Sequence, residues 1–171
     1  VTDNRVTGVR LTTEDGEQTI SASCGVVLAT GGFSADIPLR EEYLPPQART
    51  LTATAGVGTG DGIRYGLSVG AQMTPGPFGS AYWTPASHYR DTNGRHVVFP
   101  HTVTDRAKPG LIAVNRDGRR FANEAVSYHQ FVTAMLRESN VVKAVPAHLI
   151  CDKRFLWKYG LGAIRPMTLR L

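Results

Sequence analysis

Three short runs bring together residue types that could do chemistry. Ala29-Thr30-Gly31-Gly32 closes an apolar stretch with small residues, and Thr59-Gly60-Asp61-Gly62 opens what reads as a helix. Small side chains let backbone N–H groups and a strand end come against a nucleotide without steric obstruction. Asp61 adds a carboxylate that can cap the helix, meet a ligand, or do both. The third run is Gly110-Leu-Ile-Ala-Val-Asn115-Arg-Asp-Gly118-Arg-Arg120-Phe121-Ala-Asn123-Glu124, followed four places on by Tyr128. A tyrosine of ordinary pKa near 10 donates a proton readily, but as a base at neutral pH it needs neighbours that stabilise the phenolate. A tyrosine on an amphipathic helix also serves as a core residue with a wet hydroxyl. Residue types alone leave both roles open.

The elements that must position these residues are legible in outline. Val6, Val9 and Leu11 alternate with polar residues along a strand from Arg5 to Thr12, Asp15-Gly16 supplies a hairpin turn, and Gln18 to Ala22 returns. The continuous apolar run Gly25 to Ala29 reads as a strand buried on both faces. A helix from Asp61, with Asp61 as its N-cap, places Ile63 and Leu67 on one stripe; Gly62, Gly66 and Gly70 leave a bare face suited to close approach of backbone or ligand. Residues 73–110 show no period. A domain boundary is expected near Pro75-Gly76-Pro77, dividing the chain into 1–76 and 77–171. Beyond it come a strand from Leu111 to Asn115, a turn, a return at Arg120-Phe121, a helix from Ser127 to Arg137 and a strand from Val145 to Cys151. Asp152 then caps a short helix ended by Gly160.

Composition sets limits on function. The chain has 171 residues, 42% hydrophobic and 19% charged, as in ordinary globular proteins, and no apolar run long enough to span a bilayer. Its net charge of +5 comes from scattered residues such as Arg106, Lys108, Arg116, Arg119 and Arg120, a solvated basic surface rather than a nucleic-acid arm. Cys24 and Cys151 match no metal or redox spacing and read as small buried residues of a reducing compartment, which points to a cytoplasmic setting.

Taken together, the three runs resemble the FAD-dependent oxidoreductases of the fumarate reductase and succinate dehydrogenase flavoprotein superfamily, closest to the ketosteroid dehydrogenases. A meander closing in A-T-G-G is similar to the segment that ends that family's nucleotide-binding sheet. T-G-D-G with Gly70-Ala71 is similar to the segment whose aspartate, here Asp61, lies against the FAD. The 110–124 run is similar to the hairpin of the substrate (cap) domain that brings catalytic residues to the flavin. The resemblance implies an α/β and α+β organisation: the C-terminal part of a Rossmann-like FAD-binding domain, then part of an α+β cap. It implies FAD contacts from Ala29, Thr30, Gly31, Gly32, Thr59, Gly60, Asp61 and Gly62. Fumarate reductases carry an arginine acid where this chain has Tyr128, whereas ketosteroid dehydrogenases carry a tyrosine that removes the proton beside the carbon losing hydride. Arg106 stands close to, but out of register with, the fumarate reductase arginine.

The expected activity is oxidation of a carbon–carbon bond next to a ketone on an apolar cyclic substrate. Alternatives are reduction of fumarate or an enone, and a structural or interaction module without redox work. His129 reads as a surface residue rather than a helper, and Tyr82, Trp83, Tyr89 and His101 either line an apolar pocket or pack the cap. No G-x-G-x-x-G follows a strand, and Gly56-x-Gly58-x-x-Asp61 fails at its last position. The chain is therefore expected to be an internal excerpt, holding FAD weakly or not at all and inactive by itself.

Overall fold

The computed structural model describes residues 1, 3, 5–54, 56–76, 78–102 and 105–167. Pro77, part of the expected boundary, lies outside them, as do Val103 and Thr104 beside Arg106. The chain is mixed α/β. Its named strands pair as three separate antiparallel twos, β1–β2, β3–β4 and β5–β6.

β1 (Gly8–Thr13) and β2 (Gly16–Ser21) form the expected hairpin, in register from Gly8↔Ser21 to Thr13↔Gly16. Gly16 takes a φ of 108°, the left-handed conformation that suits glycine in such a turn. Gly8, which interrupts the alternation, lies so close to the partner strand that a Cβ there would stand 2.2 Å from the Ile20 carbonyl oxygen.

The run 25–29 is not a strand. Its backbone has no ladder partner, and Val27 and Leu28 are 91% and 49% exposed. An apolar strand needs neighbours on both edges and cover on both faces, and the described residues provide neither.

α1 (Ile37–Tyr43) forms around Pro38, with Asp36 Oδ1 accepting the Leu39 amide at 2.9 Å. α2 (Asp61–Ser68) begins as expected, but its N-cap is Gly60 at φ 75°, not Asp61. Asp61 is the first helical residue, and its Oδ2 accepts from Thr59 Oγ1 at 3.0 Å.

Within 73–110 the chain forms a second hairpin, β3 (Ala86–Arg90) with β4 (His96–Pro100). Asp91 Oδ1 holds its turn by accepting the Asn93 and Arg95 amides, each at 2.9 Å, and Gly94 takes a φ of 76°. β5 (Leu111–Val114) pairs with β6 (His148–Cys151) from Leu111↔Cys151 to Val114↔His148. The expected return at Arg120 reduces to one bridge, Val114↔Arg120, and residues 145–147 precede the strand expected to include them. α3 (Tyr128–Glu138) turns Phe131, Val132 and Leu136 inward. α4 (Lys153–Tyr159) has its cap at Asp152, whose Oδ1 accepts the Phe155 amide at 2.7 Å, and ends at Gly160.

The chain divides into two compact units: Val1–Arg40 with Thr54–Thr74, and Glu41–Ala53 with Pro75–Leu171. The second carries the larger core, with Leu111, Ala113, Val114, Phe131, Leu136 and Phe155 all buried. Cys24 is exposed, contrary to the buried reading, because it lies in the uncovered segment before residue 25. Cys151 is half-buried, and burial with the neighbouring Asp152 charge raises its thiol pKa. Among the described residues no helix is long and apolar enough to cross a membrane, and no group of His, Cys, Asp and Glu could hold a metal ion.

Candidate functional site

In the first unit the two glycine runs lie side by side. Gly60 N donates to Gly32 O at 3.1 Å, Gly62 N to Thr30 Oγ1 at 3.0 Å, and Ala35 N to Gly58 O at 2.8 Å. One side of this seam is closed: a Cβ at Gly58, Gly60 or Gly62 would stand 2.6 Å from Ser34 Oγ, 2.4 Å from Leu39 Cδ1 or 2.1 Å from Thr30 Oγ1. The other side is open, since a Cβ at Gly31, Gly32 or Gly56 would meet nothing within 4 Å. The bare helix face narrows to Gly62. Gly66 has only ordinary contacts at 3.6 Å and Gly70 none.

Asp36 braces this unit. It takes the Leu39 amide and the Arg64 guanidinium, with Arg64 Nε at 3.0 Å, and these bonds hold its carboxyl below the usual carboxylate range. The result is a glycine-lined backbone edge at Gly31 and Gly32, beside the first turn of α2 and the Asp61 carboxylate. Gly60 N and Gly62 N are used within the seam, so what this edge offers a flat ligand is close approach to glycine backbone.

The second unit positions Tyr128 as the first residue of α3, half-buried. A capping box sets that helix end: Gln130 N donates to Ser127 Oγ at 3.2 Å, and Ser127 N to Gln130 Oε1 at 3.4 Å. Upstream, the buried Glu124 accepts from Ala113 N at 2.8 Å, Arg120 Nε at 3.0 Å and Arg120 Nη2 at 2.6 Å. Burial pushes its carboxyl up, but the Arg120 fork and the Ala113 amide outweigh it and hold the pKa below the ordinary value. The Glu124 carbonyl accepts from Arg106 Nη1. Arg106 is 1% exposed, donates also to the carbonyls of Thr102 at 2.9 Å and His101 at 3.4 Å, and lies 4.8 Å over the Phe131 ring. Glu124 and Arg106 thus tie the approach to Tyr128 to β5 and α3. Committed to carbonyls, Arg106 is a brace rather than a free cation for a dicarboxylate.

Tyr82 meets Tyr128 edge-on, with centroids 5.6 Å apart, and stacks on His129 at 4.4 Å and 16°. His129 is half-buried, and its Nδ1 accepts the Trp83 amide at 3.1 Å. A cavity of about 590 Å3 is lined by residues including Trp83, Ser87, His101, Phe131, Met135 and Leu149. Of the four undecided residues, Trp83 and His101 line it, whereas Tyr82 is 72% exposed and Tyr89 is half-buried away from its wall.

A hydrogen-bond chain that the sequence reading missed runs along this wall. Ser87 Oγ lies 2.7 Å from His101 Nε2, and His101 Nδ1 lies 2.7 Å from Asp105 Oδ2. Its one advance signal was the spacing of His101 and Asp105, since Ser87 arrives from another strand. The structure therefore brings Thr30, Gly32, Gly60 and Gly62 together in one unit and sets Tyr128 among aromatic and clamped residues in the other.

Comparison with known proteins adds to this geometry. A family model described as FAD binding domain matches residues 1–162. The chain is 36% identical over 167 residues to 4-oxocyclohex-2-ene-1-carboxylate 5-dehydrogenase of Sinomonas cyclohexanicum, covering 96% of this chain and 28% of that protein. It is 30% identical over 156 residues to 3-oxosteroid 1-dehydrogenase of Mycobacterium tuberculosis, covering 87% and 26%. The crystal structure of 3-ketosteroid delta1-dehydrogenase from Sterolibacterium denitrificans with 1,4-androstadiene-3,17-dione superposes with a TM-score of 0.72 at 34% identity, covering 95% and 28%. The chain spans little more than a quarter of the length of each.

Proposed function

Because this chain belongs to the FAD binding domain family, we propose that it is part of a flavin-dependent dehydrogenase acting on a carbon–carbon bond next to a ketone. Residues 1–76 are the C-terminal part of its Rossmann-like FAD-binding domain, and residues 77–171 are part of its α+β substrate cap. The backbone of 29–32 and 59–62, with Asp61, holds FAD on the open side of the glycine seam. FAD, when bound, supplies the hydride acceptor. Tyr128 takes the proton from the carbon adjacent to the ketone, and Glu124 and Arg106 hold it in place. The substrate is an apolar cyclic ketone, in keeping with the oxocyclohexene carboxylate and 3-oxosteroid named for the relatives.

The observation that carries this reading is Tyr128 on the capped first turn of α3, with the nearby Arg106 bound to carbonyls. An enzyme working on fumarate needs a cation free to meet the dicarboxylate. The test is anaerobic mixing of the full-length protein with a 3-ketosteroid while flavin absorbance is followed. Bleaching is expected, slowed about a hundredfold or more by Tyr128→Phe, the range of general acid–base catalysis. Absent bleaching, with reoxidation of pre-reduced flavin by an enone, would make it a reductase.

A further inference from the structure

A phenol oxygen that takes a proton has to stay in place, and the capping box fixes the backbone of Tyr128 rather than its ring. Two rotatable bonds separate ring from backbone. The ring is met by Tyr82, edge-on at 5.6 Å and 76°. Tyr82 itself stands in irregular chain four residues before β3 and is 72% exposed, so neither strand nor helix fixes it. What holds it is His129. The imidazole takes the Tyr82 ring on its face, at 4.4 Å and 16°, and the Trp83 amide on its edge, where Nδ1 accepts at 3.1 Å. A backbone amide can only donate, so that bond uses the Nδ1 lone pair. One ring thus captures the side chain of Tyr82 and the backbone of its neighbour, on two different sides. His129 follows Tyr128 directly on α3, so the same capture brings Tyr82 against Tyr128.

We propose that Tyr82 and His129 are positioning residues for Tyr128: His129 clasps the 82–83 segment, and the Tyr82 ring keeps the Tyr128 phenol in one attitude. This deepens the dehydrogenase reading and rests on it for the part Tyr128 plays in proton removal. An edge-on pair of rings favours one arrangement by about threefold to tenfold. A reacting oxygen that drifts from its place slows the chemical step. The loss on removing the clasp therefore falls on the rate of flavin reduction and not on the affinity for the ketone.

The experiment is anaerobic stopped-flow bleaching of the full-length protein by a 3-ketosteroid, paired with fluorine NMR of the same protein carrying fluorotyrosine. Tyr82→Ala, at an exposed site, should lower the saturating rate about threefold to tenfold and leave the half-saturating ketone concentration within about twofold. Tyr82→Phe keeps the ring and should restore the rate to within about twofold of the wild type. His129→Ala should match Tyr82→Ala, and on a Tyr128→Phe background Tyr82→Ala should cost nothing more. A loss in half-saturation instead of rate, the same loss in Tyr82→Phe, or a full further loss without the Tyr128 hydroxyl overturns the proposal. The Tyr128 fluorine signal, identified by its absence in Tyr128→Phe, should narrow in Tyr82→Ala as the ring gains motion; an unchanged line also overturns the proposal. Narrowing in a protein that never bleaches rejects the dehydrogenase reading alone.

Discussion

Replacing Glu124 by Gln tests the idea that one carboxylate sets the approach to Tyr128. Glutamine keeps an oxygen for the Ala113 amide and one Arg120 N–H, but it turns an amide NH2 toward Arg120 Nη2, which lies 2.6 Å from the native oxygen. One charge-assisted bond, about 1.5–3 kcal/mol, is lost and the other weakened. The Arg120 side chain is 55% exposed and regains water, so the cost stays below the roughly 3–5 kcal/mol of a stranded buried charge. About 2 kcal/mol is the expected loss at neutral pH.

The pH dependence has a definite sign. Glu124 has a depressed folded pKa, so its contribution is full above the ordinary value of 4.5 and is lost as pH falls through the folded value. Urea unfolding of both proteins from pH 7 down to pH 3 should show a gap that is constant above about pH 5 and shrinks below about 4.5. Asp36 and Asp105, also depressed, titrate in both proteins and cancel in the difference. A gap below about 0.5 kcal/mol at pH 7, or one that does not change with acid, would refute the reasoning.

Gly62→Ala should cut FAD retention in the full-length protein at least about tenfold, because the new Cβ would stand 2.1 Å from Thr30 Oγ1 and force the glycine seam apart. Gly66→Ala, with its nearest contact at 3.6 Å, serves as control and should instead stabilise α2 by about 0.5–1 kcal/mol; equal flavin content in the two variants sinks the seam as a cofactor edge. Ser127→Ala removes the cap on the Tyr128 turn and should cost about 1 kcal/mol in thermal unfolding, with faster amide exchange at Gln130. Unchanged exchange there would mean the capping box does not hold that turn.

The sequence was most informative where structure is local. The Asp15-Gly16 turn, α3 and the Asp152-to-Gly160 helix are local structures, although Ser127, read as the first residue of α3, is its N-cap. The α2 start was legible, but the assignment of its cap to Asp61 failed because Gly60 already takes the left-handed conformation there. The β3–β4 hairpin was missed, although Asp91-Thr-Asn-Gly94 carries a turn signal, because β3 and β4 alternate poorly. The seam between Thr30 and Gly62, 32 residues apart, could be expected only through family resemblance. Neither the Arg106 brace on the Glu124 carbonyl nor the Ser87–His101 bond has a signature in spacing, since both join residues brought together by packing.

The extended run 25–29 has a practical consequence for anyone handling this chain. Val27 and Leu28 present apolar surface beside backbone amides and carbonyls that no ladder occupies. That combination is what aggregation nuclei and chaperone clefts recognise, because a second extended chain satisfies the backbone and hides the side chains in one step. Yield from expression of the 171-residue chain is then set by protein concentration and chaperone supply as much as by the stability of either compact unit. A lysine or glutamate at the exposed Val27 is the substitution that should keep the chain in solution at least cost to its fold.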